Sequence, residues 1–329
     1  MPVPRALSAP SAALVLTLAL GPAATGLALP QDAAAEAGRA PVAELAAPFL
    51  GAWMAADDSG DAWLFEETRA GWGAAPQPSF TRTTWRADGV TLEAWAQRRD
   101  LGLEREGDSL WVTRDGERRR FERAEAMPGS LVVQTPDIAA PEPLEPDALD
   151  ALRAELSERR DKEQAVRARI SDPDEDQSVV MSEMHRIDVD NTAWLKERMA
   201  DTGWFDAARF GRKATGDAFL IVQHSGDLGL MTAALPLIKA EIRSGAIRGD
   251  QFALLYDRLA LNLGRKQSFG SQLSGNDDGL FVCPLDDPEG VDARRKAVGM
   301  GPLVDYLELF RDQNGGALPQ GLDGTPFGE

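Results

Sequence analysis

The chain has 329 residues, is 43 % hydrophobic, contains one cysteine and carries a formal net charge of −18 at pH 7. A surface this acidic repels nucleic acid and anionic lipid, whose binding needs clusters of Lys and Arg, so neither is expected as a partner. Cys283 has no second cysteine to pair with, so the fold has to stand on its hydrophobic cores, and a chain of this length can build two.

At the N-terminus Arg5 precedes an apolar stretch over 12–20, and small residues lead to Gly26-Leu27-Ala28. This is the charged start, short apolar core and cleavage zone of a signal peptide, assigned to residues 1–28. The apolar stretch is shorter than the roughly 20 residues that span a bilayer. Export to the periplasm or the extracellular space is expected, with no stable membrane insertion after the signal is cleaved.

Residues 45–134 read as a small antiparallel β domain, a barrel or a sandwich. Strands are expected at 62–66, 79–86, 90–97, 109–114 and 117–123, separated by turns such as Asp88-Gly89 and Gly107-Asp108. The clearest pair is SLWVTR and ERRRFER around Asp115-Gly116, because Asp-Gly favours the type I′ turn that matches strand twist. Trp53, Trp63, Trp72, Trp85, Trp95 and Trp111 all fall here. They read as the filling of a small core, with an aromatic ligand platform as the other reading. The opening FLGAWMAADDSGDAWLFEE and the late FERAE resemble small lipocalin-like secreted β domains.

Residues 135–146 carry Pro136, Pro141, Pro143 and Pro146 and read as an extended linker, with Pro146 suited to the first turn of a helix. A mostly α-helical domain follows over 147–310, so the chain is multidomain, β then α. Leu149, Leu152, Leu156, Val166 and Ile170 give its first helix one apolar stripe. That helix stops at Ser171-Asp172-Pro173. Asp172, Asp174, Asp176 and Glu183 have calcium-loop spacing, but Gln177 stands where the sharp turn needs glycine, so the segment reads as an acidic turn with no metal site.

A second helix is expected to end near Gly203. Asp227 is suited to cap another over 228 to about 243, which Pro236 should kink or divide. The helix expected over 250–263 is apolar almost all round, yet Asp257 and Arg258 interrupt it, and buried charges require partners. A short helix over 302–310 closes the domain, and the glycine- and proline-containing tail over 311–329 reads as disordered.

Candidate chemistry concentrates in the block 219–272. His224 can act as acid, base or ligand; Asp257 could orient its ring, leaving the other nitrogen to activate a water. Arg258, Arg294 and Arg295 could hold an anionic group, and Gln223, Gln267 and Gln272 could orient polar functions of a ligand. No serine sits in a nucleophile elbow and no second histidine stands at metal spacing, so no cofactor is expected. These residues lead to two readings. One is a ligand-binding or interaction protein that recognises a small molecule or envelope component in a polar cleft. The other is a hydrolase of cell-envelope material with His224 as general base.

In order along the chain come Asp161 and Arg167, Asp188 and Asn191, Gly203-Trp204, Gln223-His224 and Asp257-Arg258. Gly264, Gln267, Gly270 and Gln272 follow, then Asp292, Arg294-Arg295, Gly299 and Tyr306. In this pattern the C-terminal half resembles the bacterial domain of unknown function 6624. The chain departs from it at Phe205, where the family commonly has proline, and at Phe269 and Ser271 within the motif YGTQ. The resemblance implies a mostly helical domain and no established activity.

Overall fold

A computed structural model describes residues 42–321, apart from 58, 74–77, 95–96, 173 and 277–278. The expected signal peptide and Trp95 therefore lie outside the described residues. A short helix, α1 (Val42–Ala46), leads into eight strands: β1 (Gly51–Ala55), β2 (Ala62–Phe65), β3 (Arg69–Gly73), β4 (Ser79–Arg86), β5 (Gly89–Ala94), β6 (Gln97–Glu106), β7 (Ser109–Arg114) and β8 (Glu117–Arg123). Each pairs antiparallel with the next, and β1 with β8 closes a barrel. At the β7–β8 turn Asp115 and Gly116 have φ of 52° and 83°, the pair of positive values a type I′ turn needs, and glycine adopts its value without a steric cost.

Side chains alternate between lumen and exterior along each strand. Trp53, Trp63 and Trp72 stand opposite one another across β1, β2 and β3, and Trp63 and Trp72 approach to 4.6 Å between ring centroids. With Phe65, Trp85, Leu101, Leu110 and Phe121 they fill the barrel core. Trp111 lies on the outside, under the Arg118 guanidinium. The barrel is compatible with the lipocalin-like resemblance, while its aromatics serve mainly as packing.

The helical domain comprises α2 (Pro146–Ala168), α3 (Gln177–Thr202), α4 (Ala207–His224), α5 (Leu228–Ala240) and α6 (Gly249–Asn262). Strands β9 (Leu273–Asn276) and β10 (Gly279–Val282) and helices α7 (Val291–Ala297) and α8 (Leu303–Glu308) come next, then β11 (Gln320–Gly321). Pro146 opens α2. Asp176, Asp206 and Asp227 cap α3, α4 and α5 by accepting backbone N–H groups of the first turn. Asp176 of the acidic turn is thus a cap, and Glu183 pairs with Arg169 at 2.7 Å. Pro236 lies inside α5 without dividing it.

Two expectations about connecting segments change. Residues 311–321 are not a disordered tail: β11 runs parallel to β10, and Asn314 Oδ1 accepts the Leu280 N–H at 2.7 Å. The proline-rich segment has neither helix nor strand before Pro146 and is docked on the helices, with the Ala139 N–H donating to Met199 O at 2.9 Å and Ile138 and Leu144 packed on the helical core.

The barrel and the helices share that core. On β2, Trp63 and Phe65 point into the barrel, whereas Ala62 and Leu64 point outward and pack, with Phe80 of β4, against the helical side chains. Both faces of β2 are therefore buried, which is why its sequence does not alternate in polarity. At the contact Phe80 bridges to Leu263, and Arg69 donates to Leu263 O at 3.3 Å. Gly264 has φ of 70° and comes so near that a Cβ there would lie 2.7 Å from Thr81 O.

Candidate functional site

Helix α2 presents Glu163 and Arg167, four residues apart and hence on one face, toward α3 and α4. The Arg167 Nε lies 2.7 Å from Glu163 Oε1, and its Nη2 donates to both oxygens of Asp188 on α3, at 3.1 and 2.9 Å. His224, the last residue of α4, brings Nδ1 to 2.6 Å from Glu163 Oε1. From α6, Arg258 donates through Nη1 to the Gln223 carbonyl at 2.7 Å. Four helices thus converge on one polar cluster. The Glu163 side chain is 1 % exposed and that of His224 8 %, while Arg167 and Asp188 reach the surface at 19 % and 13 %.

The electrostatics follow from burial and neighbours. Burial pushes the His224 pKa below its usual value; the Glu163 contact opposes this, and the charges of Arg167 and Arg258 reinforce it. A neutral ring that keeps its proton on Nδ1, the nitrogen facing Glu163, leaves Nε2 as a basic nitrogen. Burial alone would raise the Glu163 pKa, but its contacts with His224 and Arg167 outweigh that and hold it below the ordinary range. Burial raises the pKa of Asp188, and burial together with Arg167 lowers that of Arg258 to about 10.

Gln223 and Arg167 have hydrogen-bonding capacity to spare, and His224 Nδ1 and Glu163 Oε1, although close, make no well-aligned hydrogen bond. Gln223 is 3 % exposed, and neither its Oε1 nor its Nε2 has a hydrogen-bond partner. Arg167 Nη1 is also buried and unpartnered. An unsatisfied buried polar group costs about 1–3 kcal/mol, so these atoms are where a bound polar molecule would gain most.

Asp257 does not meet His224. Its buried carboxylate accepts N–H groups from Ser268, Phe269 and Ser271 at 2.7–3.2 Å and the Ser271 hydroxyl at 2.8 Å. Burial lifts its pKa against these donors. The expected dyad is therefore corrected, with Glu163 taking the place that Asp257 was expected to fill. The two charges on α6 point to different partners because adjacent helical residues lie about 100° apart.

Gln267 and Gln272 are also committed to this loop. The Gln267 Nε2 donates to Gln272 O and Cys283 O at 3.0 and 2.6 Å, and its Oε1 accepts the Gln272 N–H at 2.9 Å. Gln272 Nε2 reaches Leu254 O at 3.3 Å. Arg294 donates to Ser268 O and to Asp286 O and Asp287 O, and Arg295 to Gly301 O and Phe269 O. The candidate residues thus separate: Gln223, His224 and Arg258 join the cluster, whereas Asp257, Gln267, Gln272, Arg294 and Arg295 hold the chain over 264–301. Asp161 stays exposed beside Arg160.

The sequence does not single out Glu163, which lies in the charged run ERRDKEQAVRAR. Its spacing to Arg167 was the available signal. Among the described residues no group of three or more His, Cys, Asp or Glu is placed to hold a metal ion, and no helix is long and apolar enough to cross a membrane.

Residues 150–318 match the sequence model of DUF6624, a family of unknown function. No curated protein and no solved structure matches the chain.

Proposed function

The chain belongs to the DUF6624 family of unknown function, and on that premise we propose that its helical domain binds a small polar molecule with an anionic group at the Glu163–His224 cluster. The observation that supports this reading best is the buried Gln223 amide, neither of whose polar atoms has a partner; Arg167 Nη1, in the cluster that Gln223 joins through its backbone carbonyl, has none either. Arg167 and Arg258 would receive the anionic group, and Gln223 offers one donor and one acceptor to the rest of the molecule. The reading includes export, for which the segment from Arg5 to Ala28 is the support; the ligand would then be a periplasmic metabolite or an envelope fragment.

A thermal-shift screen of polar anions tests it. A ligand at 100 times its dissociation constant adds about 2.7 kcal/mol of stability, and that gain should vanish in Gln223→Leu. A gain retained in Gln223→Leu would place the ligand elsewhere.

The Glu163–His224 contact supports a second reading, hydrolysis, with Nε2 of His224 as general base and Glu163 fixing the ring. Turnover of an envelope-derived substrate that is lost in both His224→Gln and Glu163→Gln would favour it. Turnover unaffected by either variant would remove it.

A further inference from the structure

A crevice of about 820 Å³ runs along the junction of barrel and helices, within the size range of small-molecule sites. Its floor is apolar, made by Leu235, Tyr256, Leu259 and Leu263. Its two walls carry exposed charges of opposite sign. On the helical side stand Arg265 and Lys266, and on the barrel side Glu67, and none of the three side chains has a hydrogen bond or ion pair among the described residues. Asp286 adds one carboxylate beside the two cations, leaving that wall net positive, while the remaining pairs, Arg69 with Glu66 and Arg82 with Glu93, neutralise each other.

The backbone of both walls is held before anything binds. The chain over 264–271 that carries Arg265 and Lys266 is clamped from beneath by the buried Asp257 carboxylate and by the hydrogen bonds of Gln267. The turn that carries Glu67 is pinned by its own carbonyl, which accepts Trp85 Nε1–H at 2.9 Å and the Thr83 hydroxyl at 3.3 Å. The spacing between the walls is set by the Phe80–Leu263 bridge and the bond from Arg69 to Leu263 O. Pre-formed walls spare a ligand the ordering cost of building its site.

We propose that this crevice is a second binding site, separate from the Glu163–His224 cluster, for a zwitterion with an apolar body, namely a short peptide with free termini. Its carboxylate lies against Arg265 and Lys266, its ammonium against Glu67, and its apolar side chains on the floor between them. The clamp gives the buried Asp257 carboxylate and the buried Gln267 amide a role at this site: they hold the backbone that carries Arg265 and Lys266 opposite the barrel wall.

Titration calorimetry of the full chain with leucyl-leucine tests the proposal. The expected result is saturable binding with a dissociation constant of about 1 mM or tighter, weakened about ten-fold when the peptide is N-acetylated or C-amidated, since each change removes a charge-assisted contact. Arg265→Ala with Lys266→Ala should weaken the free peptide about ten-fold and abolish sensitivity to amidation, and Glu67→Gln should abolish sensitivity to acetylation. His224→Gln should leave all of this unchanged, which separates the crevice from the cluster. No binding up to about 10 mM, or equal binding of free and blocked peptides by the unaltered chain, would overturn the proposal without recourse to any variant.

Discussion

His224 Nδ1 and Glu163 Oε1 lie 2.6 Å apart, joining the C-terminal end of α4 to the last third of α2. Glu163 also holds Arg167, which holds Asp188 on α3, while Arg258 of α6 is anchored one residue away on Gln223. The pair is therefore the centre of a network that fixes four helices relative to one another, and the same atoms that fix them also leave a basic ring nitrogen.

Replacing Glu163 by Gln keeps the shape and removes the charge on which Arg167 and His224 depend. Breaking a buried ion pair costs about 3–5 kcal/mol, and because Arg167 keeps Asp188 the loss should fall near about 3 kcal/mol. Urea unfolding of Glu163→Gln measures it; a loss under about 0.5 kcal/mol would mean that the cluster is not a structural anchor.

The pH dependence has a definite sign. The folded-state pKa of His224 lies below its usual 6.5, so as pH falls below that value the unfolded chain takes up a proton that the folded chain does not. This contribution is fully present above pH 6.5 and is lost as pH falls toward the folded pKa. The lowered pKa of Glu163 acts the same way further down: its contribution is present above the usual 4.5 and lost as pH falls through the folded value. Between pH 6.5 and 5 the unaltered protein should lose up to about 1.4 kcal/mol per pH unit more than His224→Gln. Parallel stability profiles for the two proteins would show that His224 is protonated equally in both states.

Asp257→Asn should release the loop without unfolding the domain. The amide that replaces the carboxylate turns a donor toward N–H groups that already donate, leaving at least one unpaired at a cost of about 1–3 kcal/mol. Hydrogen exchange reads this site by site. The amides of Ser268, Phe269 and Ser271 should lose protection in Asp257→Asn while the interior of α4 keeps it, and equal protection in both proteins would refute the clamp.

Parts of this were legible in the sequence for local reasons. The β7–β8 hairpin follows from Asp115-Gly116, and Asp227 announces α5 by itself. Strands β1, β3 and β6 were not legible. Gly51 and Gly71 dilute the pattern in β1 and β3, and β6, with QRRDLGLERE, carries charge along most of its length. Helix α4 escaped because Gly211 and Gly216 weaken its propensity and Gly211 interrupts its helical geometry. His224 could be named as a site residue because it is one of two histidines, but its partner could not. Glu163 resembles the solvated acids around it, and only the packing of α2 on α4 buries it. Asp257 misled for the complementary reason: a charge in an apolar helix demands partners, and sequence cannot show that they are backbone amides.

The shared core makes a prediction about cooperativity. Phe80 belongs to the barrel by sequence and to the helical core by packing, and its neighbour across the junction, Gly264, has no room for a Cβ beside Thr81. Phe80→Ala should cost about 3–5 kcal/mol for the lost contacts and cavity, and Gly264→Ala about 2 kcal/mol or more for the left-handed backbone and the clash. Because the junction belongs to one core, both variants should lower together the melting read by tryptophan fluorescence, to which the barrel contributes most of the eight tryptophans beside Trp194 and Trp204 of the helical core, and the melting of the helices read by far-ultraviolet dichroism. Two separated transitions in the unaltered protein, or a shift confined to one signal in Phe80→Ala, would show that barrel and helices unfold independently. In that case the crevice between them would lose the fixed width on which its two charged walls depend.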